Sequence, residues 1–300
     1  MQVNAVQRLR RAMARGLRRW NPLGALSERV SAVEGKLRGE QHRIDYALGA
    51  IEGVLDHYEA FRTAREGDEY QRAFTDNNPL VTVCIATSER ARLLTERCLP
   101  SVLAQTYSNL QIVVVGDHCL DDTAARVAAL GDSRVEFHNL PERGPYPPPG
   151  WERWCVAGTS AINAALARAE GQFITHLDDD DRYTPERVER LVAEAQQHRA
   201  DLCWHPMWTE AWDGSWSQLG NGRFEAGQVT TGSTLYHRYF QSFPWDVFAY
   251  RLVEPGDWNR LRKIKLMRPT MRFVGQPLLY HYKERNQAPF IAQANEQFLD

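Results

Sequence analysis

The chain has 300 residues, 43% of them hydrophobic and 25% charged, with a formal net charge of −2 at pH 7. This length allows one large domain or two small ones, and the near-neutral charge predicts no nucleic acid partner. Five scattered cysteines without CxxC spacing argue against a disulfide framework or a zinc site and predict a reducing compartment. No stretch reaches the roughly eighteen apolar residues of a spanning helix, and no secretory signal is visible, so we expect a cytoplasmic protein.

Residues 4–20 predict a strongly polarised helix that ends before Asn21 and Pro22. An amphipathic helix with a basic face can lie on an anionic membrane surface, or it can pack on its own protein or a neighbouring subunit. Both alternatives remain open, with peripheral contact at the inner membrane face as the sharper one. One side of the helix is apolar and the other is basic: Val6, Leu9, Met13, Leu17 and Trp20 against Arg8, Arg11, Arg15, Arg18 and Arg19.

Residues 27–65 predict a second helix, in which Val30, Leu37, Ile44, Ile51 and Tyr58 recur at a spacing of seven. Such a repeat is typical of a coiled coil, although four glycines weaken it. The helix is either a self-association stalk or a long helix laid across the main domain, and we favour a homo-oligomer formed through residues 27–65. Turn-forming residues at 66–69 and 75–79 predict a linker. We therefore divide the chain into a helical extension, 1–75, and a second domain, 76–300.

From Leu80 onward, short apolar strands alternate with helices, which predicts an α/β fold with a mostly parallel sheet flanked by helices. A helix at 154–169 precedes the central strand, and a kink at Pro100 is expected in the helix at 90–105. Residues 207–224 predict a hairpin around Asp213 and Gly214. The predicted strands are 81–86, 111–115, 134–138, 173–177, 201–205 and 271–274, and the other predicted helices are 123–130, 184–198 and a short one near 253–261.

Four consecutive carboxylates, Asp178 to Asp181, follow the apolar strand at 173–177. Thr184 and Pro185 then predict an N-cap and a first helical residue. The acids therefore lie at the carboxyl end of a strand, where open α/β sheets bind ligands. Because adjacent carboxylates repel one another, the pattern favours a site for Mg²⁺ or Mn²⁺ that bridges to a diphosphate. The alternative is a solvated acidic turn.

Three tryptophans, Trp208, Trp212 and Trp216, lie downstream of the acids in the predicted hairpin. They are interpreted as core residues or as a platform on which a sugar stacks.

Six ordered motifs between Pro79 and Tyr282 resemble those of the inverting family 2 glycosyltransferases of GT-A fold. Any one of them is weak, but the series is specific and covers much of the chain. The sequence departs from the family pattern in the first loop, at Gly116 before Asp117, and at Gly256 before Asp257. The matching stretches are residues 81–90, 101–107, 113–123, 158–171, 177–181 and 256–261.

This resemblance implies a GT-A, Rossmann-like fold and a metal-dependent transfer of sugar from a nucleoside diphosphate-sugar to a hydroxyl acceptor. It implies that Asp180 and Asp181 bind the divalent cation with Asp178 nearby, and His281 is a further candidate ligand. Asp257 is the candidate base that takes the acceptor proton, with Glu254 in reserve.

The resemblance also implies a nucleotide-binding set, with UDP as the expected carrier. Asp117 is expected to accept a hydrogen bond from the uracil, and Asp178 and Asp179 to lie beside the bound donor. Asn163 or Arg153 is expected near the pyrophosphate. The residues expected around the base and ribose are Thr87, Glu89, Arg90 and Asp117.

Two other functions are alternatives to glycosyl transfer. A nucleotidyltransferase would more often show a glycine-rich phosphate loop with a lysine after the first strand, and none follows residues 81–86. A non-catalytic sugar-nucleotide module that oligomerises at a membrane is favoured by the basic helix and the heptads. The complete acid cluster and Asp257 argue against it. The expected acceptor is a cell-surface or lipid-linked glycan.

Overall fold

The computed structural model describes residues 29–37, 39–41, 44, 48 and 54–283. The chain divides into two compact units, residues 1–52 and 53–300. In the first unit, residues 29–37 and 39–41 are helical, and Val30, Leu37, Ile44 and Leu48 expose between 48% and 64% of their surface. The heptad positions in this part therefore face solvent. The basic helix predicted at residues 4–20 lies outside the described residues.

A seven-stranded, mostly parallel sheet forms the centre of the second unit, in the order β10-β6-β9-β4-β1-β2-β3. Only β9 runs antiparallel to its neighbours β4 and β6. The strands in the middle of the sheet are continuous apolar runs, because helices cover both faces. The α/β fold predicted from the sequence is thereby confirmed. The strands are β1 (Val81–Thr87), β2 (Leu110–Gly116), β3 (Val135–Asn139), β4 (Phe173–His176), β6 (Leu202–Trp204), β9 (Thr234–His237) and β10 (Met271–Phe273).

A smaller four-stranded sheet follows the order β5-β11-β7-β8. Strands β7 (Met207–Glu210) and β8 (Trp216–Leu219) form the hairpin that the sequence predicted. Strand β5 (Arg182–Tyr183) follows the acid cluster directly. Strand β11 (Leu279–His281), which the sequence analysis did not identify, joins β5 to β7.

The helices differ from the predictions at several places. The helix predicted at 90–105 contains a π-helical segment at Leu94–Cys98, and the short helix predicted near 253–261 is Gly256–Leu266. The helix predicted at 154–169 is broken at Gly158, which adopts a left-handed φ of 77°. The helix predicted to follow an N-cap at Thr184 begins instead at Arg187. Its N-cap residue is Glu186, whose side chain makes no capping hydrogen bond, so the prediction of Thr184 as the cap is wrong. A helix that we did not predict lies at Asp68–Thr75. The helices are Val54–Glu66, Asp68–Thr75, Ala91–Leu93, Leu99–Leu103, Thr123–Ala128, Trp151–Val156, Thr159–Leu166, Arg187–His198 and Gly256–Leu266, with a π-helical segment at Leu94–Cys98 and 3₁₀ turns at Thr231–Ser233, Arg238–Ser242 and Ala249–Leu252.

The helices Val54–Glu66 and Asp68–Thr75 pack against the sheet of the second unit. Phe61, Tyr70 and Phe74 are buried there. The fully buried carboxylate of Asp201 accepts hydrogen bonds from Arg65 Nε at 3.0 Å and from the Tyr70 hydroxyl at 2.8 Å. The end of the predicted 27–65 helix is thus part of the sheet unit, while the domain boundary at 75/76 stays a prediction. Among the helices of the described residues, none has the length and apolar character needed to span a bilayer.

Candidate active site

The candidate site lies at the carboxyl ends of three neighbouring parallel strands. Thr87 ends β1, Asp117 follows β2, and the four acids follow β4 by one residue. Because β1 pairs in register with both β2 and β4, these residues meet at one edge of the sheet. This is the edge at which open α/β sheets bind ligands.

Two of the four acids are held by residues from the first loop. The Thr87 hydroxyl donates to Asp179 at 2.7 Å. The Arg90 guanidinium lies 3.1 Å from Asp179 and 3.2 Å from Asp180. Arg97 donates to the backbone carbonyl of Asp180 at 2.8 Å. Arg90, which we predicted as a nucleotide ligand, therefore offsets part of the negative charge of the cluster.

The other two acids converge with a histidine from β11. His281 Nδ1 lies 2.9 Å from Asp181 Oδ2, and the Tyr282 amide donates to Asp181 Oδ1 at 2.9 Å. One potential ligand atom from each of Asp178, Asp181 and His281 lies within 4.8 Å of the other two. Two ligands bonded at about 2.1 Å and at right angles lie about 3 Å apart, and the 2.9 Å between His281 Nδ1 and Asp181 Oδ2 matches that spacing.

The electrostatics of the cluster point to the same conclusion. The pKa of Asp178 is raised to about 7, because protein atoms crowd its carboxyl and Asp181 and Asp179 repel its charge, although the residue keeps access to solvent. Burial, followed by repulsion from the neighbouring acids, raises the pKa of Asp180. The charge of Asp181 raises the pKa of His281. A bound dication would relieve the repulsion among the carboxylates.

The geometry groups the four acids differently from the resemblance, and the ligand roles that the resemblance implied for Asp180 and Asp181 stay predictions. Asp178 belongs to the triad with Asp181 and His281, whereas the Asp180 carboxylate is paired with Arg90. Carboxylate oxygens suit Mg²⁺ and Mn²⁺, and an imidazole nitrogen shifts the preference towards Mn²⁺. The residues present therefore fit a divalent cation.

Asp257 lies in the first turn of the helix Gly256–Leu266, where it accepts from the Trp258 amide at 2.6 Å. Its charge raises the pKa of Asp178, and the charge of His281 opposes the rise in the pKa of Asp257, so these groups interact electrostatically. Burial raises the pKa of Asp257 itself to about 6. The reserve candidate Glu254 is bound instead by Arg262 at 2.9 Å and by Asn259 at 2.9 Å. Glu254 is thus engaged in an ion pair, whereas the role of Asp257 as the base stays a prediction.

Two departures from the family pattern have steric reasons. A Cβ atom at Gly256 would lie 3.0 Å from the Cys155 carbonyl oxygen and 3.4 Å from the Trp245 ring. A Cβ atom at Gly116 would lie 2.5 Å from Asn139 Oδ1. Asn139 is not free to move away, because its amide bonds both the N–H and the carbonyl of Cys119. In this chain, neighbouring groups therefore crowd the space that an acidic side chain at residue 116 or 256 would need.

Asp117 is buried and is held by the proline-rich loop. Its carboxylate accepts from the Gly144 amide at 3.1 Å, and Arg143 Nε lies 3.8 Å away. Its own amide donates to the Thr87 carbonyl at 2.8 Å. Asp117 thus lies beside the first loop as expected, and its contact with a uracil stays a prediction. No pattern in the sequence predicted that Arg143 and Gly144 would contact Asp117.

The remaining predicted nucleotide ligands make no contact with the four acids among the interactions described. The Asn163 amide exchanges two hydrogen bonds with the Trp245 backbone, at 2.8 and 2.9 Å. Arg153 donates to the Pro147 carbonyl at 2.7 Å. Glu89 is exposed at the rim and has a left-handed φ of 54°. Asn163 and Arg153 therefore hold loops in place in this structure, and contacts of either with a pyrophosphate stay predictions.

Comparison with known proteins agrees with this fold. Staphylococcal TarS (residues 1–349), in complex with UDP-GlcNAc, superposes with a TM-score of 0.53 at 17% identity over 69% of this chain and 59% of TarS. Mannosyltransferase PcManGT from Pyrobaculum calidifontis, in complex with GDP-Man and Mn²⁺, has a TM-score of 0.52 at 15% identity over 87% of this chain and 76% of its own. The fold is thus the GT-A fold of glycosyltransferases.

Residues 156–252 match the family model described as Glycosyl transferase family 2. The succinoglycan biosynthesis protein ExoO of Rhizobium meliloti is 34% identical over 128 residues, which is 42% of this chain and 33% of ExoO. Residues 156–252 thus resemble glycosyl transferase family 2, the family that the sequence motifs indicated. The chain spans well under two thirds of the length of the curated relatives that it matches.

Proposed function

We propose that this protein transfers a sugar from a nucleoside diphosphate-sugar, with UDP as the expected nucleotide, to a hydroxyl group of a glycan or lipid-linked acceptor. The observation that carries the proposal is the convergence of Asp178, Asp181 and His281 in one donor set, with which Asp257 interacts electrostatically. Ligands for a cation and a carboxylate that can accept a proton are what a single displacement at an anomeric carbon requires. The family match ends at residue 252, so the role of Asp257 rests on this geometry and on its motif.

In the proposed step the acceptor oxygen attacks the anomeric carbon from the face opposite the diphosphate. The new C–O bond forms as the bond to the phosphate oxygen breaks, and its electron pair leaves with the diphosphate. The acceptor proton passes to the Asp257 carboxylate. Because attack and departure occur on opposite faces, the anomeric configuration is inverted.

We propose that Asp178, Asp181 and His281 hold a divalent cation, Mn²⁺ or Mg²⁺, which would supply positive charge beside the donor's diphosphate. Complexes of UDP-GlcNAc with TarS and of GDP-Man and Mn²⁺ with PcManGT support a nucleotide-sugar and a metal. In the same proposal Thr87 and Arg90 hold Asp179 and Asp180 in place, and Asp117 faces the base of the nucleotide.

The test is a transfer assay with a radiolabelled nucleotide-sugar, with and without Mn²⁺, on the full chain and on Asp257→Asn. We expect the substitution to lower the transfer rate at least about a hundredfold, since general base catalysis contributes that much. Donor affinity should stay nearly unchanged, because the carboxylate acts on the acceptor. Thermal shift with the nucleotide and Mn²⁺ measures that affinity.

Asp213→Asn is the matched control, because Asp213 lies in the exposed turn of the β7–β8 hairpin. It should leave both readouts unchanged. Loss of donor binding together with transfer in Asp257→Asn would show that Asp257 supports the structure and does not act as a base. Formation of nucleoside triphosphate and sugar 1-phosphate when pyrophosphate is added, in place of nucleoside diphosphate, would favour the nucleotidyltransferase alternative.

The N-terminal extension carries two further parts of the proposal. The exposed heptad positions Val30, Leu37, Ile44 and Leu48 support self-association, and sedimentation of a Leu37→Asp, Ile44→Asp variant should show a smaller species. The arginine-rich face at residues 4–20 supports peripheral membrane contact. Vesicle flotation should then depend on anionic lipid and be lost when Arg8, Arg11 and Arg15 are replaced by glutamate.

A further inference from the structure

The outer face of the small sheet is a second candidate binding surface, on the reverse of the strand that carries His281. Successive side chains of a strand point to opposite faces. Leu279 is buried and His281 meets the acid cluster, so Tyr280 and Tyr282 point the other way. Tyr280 pairs across the sheet with Trp208 and with Arg182, which places these three side chains on the same outer face.

Aromatic rings form a cluster on this face. The Trp216 ring lies 5.4 Å from that of Tyr280 and 5.0 Å from that of Tyr282, edge-on to both. Trp216 is 38% exposed, and Trp212 in the adjoining turn is 48% exposed. An exposed group of large rings on an otherwise polar sheet face is a common feature of binding surfaces. Aromatic π-faces are negative, so they attract the slightly positive C–H faces of pyranose rings.

Three cations lie among these rings. The Arg182 guanidinium is 4.2 Å from the Tyr280 ring, Arg97 is 3.7 Å from the Tyr282 ring, and Lys283 Nζ is 5.6 Å from the Trp212 ring. The Arg182 guanidinium makes no hydrogen bond or ion pair with any other residue that the structure describes. A guanidinium stacked on a ring and otherwise free keeps its fork of donors available for a carboxylate or a phosphate.

We propose that this aromatic-cationic face, formed by Arg97, Arg182, Trp212, Trp216, Tyr280 and Tyr282, binds an anionic oligosaccharide. Sugar rings stack on Trp212 and Trp216, and the carboxylate or phosphate groups of the chain pair with Arg182. The three cations outnumber the carboxylate of Glu210, which lies on the same face, so the face favours this occupant over a neutral glycan. That the bound chain is the acceptor rests on the proposed transferase function, since the platform adjoins the strand that carries His281. The binding itself does not rest on that function.

Calorimetric titration of the full chain, without donor or metal, tests the proposal. The probes are an oligosaccharide rich in uronic acids, a glycerol phosphate oligomer, and a neutral glucose oligomer of the same length. At least one anionic probe should bind about tenfold more tightly than the neutral one, and its affinity should fall as salt is added. The anionic probe that binds more tightly identifies whether carboxylate or phosphate is preferred, and equal binding of the two identifies negative charge as the shared requirement.

Trp212→Ala should weaken binding of the anionic probe about tenfold through lost stacking. Arg182→Gln should weaken it about threefold to fivefold, the value of an exposed charge pair. Leu266→Ala and Arg272→Gln are matched controls, because both residues are exposed and lie on other elements. Both controls should bind as the unaltered chain does.

Equal affinity for neutral and anionic probes would overturn the proposal, as would the absence of binding to all three. Unchanged affinity in Trp212→Ala and Arg182→Gln would show that the oligosaccharide binds elsewhere. Thermal shift with nucleotide and Mn²⁺ is measured on the same variants and should be unaffected. If the nucleotide does not bind while the oligosaccharide does, the transferase proposal is overturned and the binding surface is supported. If the nucleotide binds while the oligosaccharide does not, the binding surface is overturned and the transferase proposal is unaffected.

Discussion

His281 and Asp181 lie 2.9 Å apart, from Nδ1 to Oδ2, although 100 positions separate them in the chain. The contact exists because β11 pairs with β5, the strand that follows the acids directly. The C-terminal part of the described chain thereby returns to the acid cluster and adds an imidazole to it. Together with Asp178, this pair forms the donor set on which the proposed function depends.

If these residues hold a cation, Asp181→Asn will lose metal-dependent nucleotide binding. An amide is a weaker ligand for a hard dication than a carboxylate, and Asp181 also anchors the Tyr282 amide. We expect the affinity for nucleoside diphosphate in Mn²⁺ to fall at least about tenfold, by analogy with lost metal-site partners. Thermal shift with and without Mn²⁺ measures the effect.

His281→Ala should behave in the same way, while Asp213→Asn should bind as the unaltered chain does. The expectation fails if nucleotide affinity in Asp181→Asn responds to Mn²⁺ as strongly as before. Asp180→Asn separates the two ligand assignments. Its carboxylate is paired with Arg90, so a smaller loss is expected there than in Asp181→Asn.

The pH dependence of transfer should report the titration of Asp257. Burial raises its pKa from 3.8 to about 6, and His281 opposes the rise. A general base acts when it is deprotonated, so the rate should be full above about pH 7 and fall about tenfold per unit below pH 6. The measurement is kcat at saturating donor and acceptor between pH 5 and 8, in parallel with donor affinity. A flat profile between pH 5 and 7, with the protein folded, would exclude Asp257 as the base.

Gly256→Ala should impair transfer more than donor binding. The added Cβ would lie 3.0 Å from the Cys155 carbonyl oxygen, so the start of the helix must move. Asp257 is the next residue and would move with it. Displacement of a catalytic group by a fraction of an ångström costs about tenfold or more in kcat.

Gly275→Ala is the matched control, because a Cβ there meets nothing closer than 3.8 Å. It should leave kcat unchanged. Equal kcat in the two alanine variants would mean that the helix start absorbs the methyl group without moving Asp257. Circular dichroism at the assay temperature distinguishes a misplaced base from an unfolded protein.

The contact between His237 and the N-terminal helices should make stability sensitive to acid. His237 stacks on Tyr70 at 3.6 Å, its Nε2 lies 3.1 Å from the Tyr70 carbonyl oxygen, and its Nδ1 accepts from the Tyr239 amide at 3.1 Å. The neutral ring with a proton on Nε2 satisfies both contacts. Protonation of Nδ1 would turn its N–H towards the Tyr239 N–H, so that two donors would face each other. Burial lowers the pKa of His237 from 6.5 to about 4.

Because the unfolded chain binds a proton at this histidine below pH 6.5 and the folded chain does so only near pH 4, stability is complete above pH 6.5 and is lost as the pH falls towards 4. Between pH 6.5 and 5 the loss from this residue should be about 2 kcal/mol. Denaturant unfolding at both pH values measures it. His237→Gln should reduce the difference, whereas His198→Gln, at the surface helix end, should not. An unchanged difference in His237→Gln would contradict the linkage.

The amino-acid pattern by itself predicted the order of the strands along the chain and the position of the acids at the end of β4. Buried strands such as β1 and β2 are continuous apolar runs, and Asp178 to Asp181 follow such a run directly. These are local properties, in which neighbouring residues carry the whole signal. Alternation of Leu279, Tyr280, His281 and Tyr282 could also have indicated β11, but a strand of three residues is too short for its period to be decisive.

Only the tertiary structure decided which groups share the site. Sequence spacing cannot show that Arg90 pairs with Asp179 and Asp180, leaving Asp178 and Asp181 to face His281. Nor can it show that the Cys155 backbone excludes a side chain at residue 256. The physical reason is that local sequence determines hydrogen-bonding pattern and burial, whereas the partner of a charge depends on which distant segments the sheet brings to the same edge.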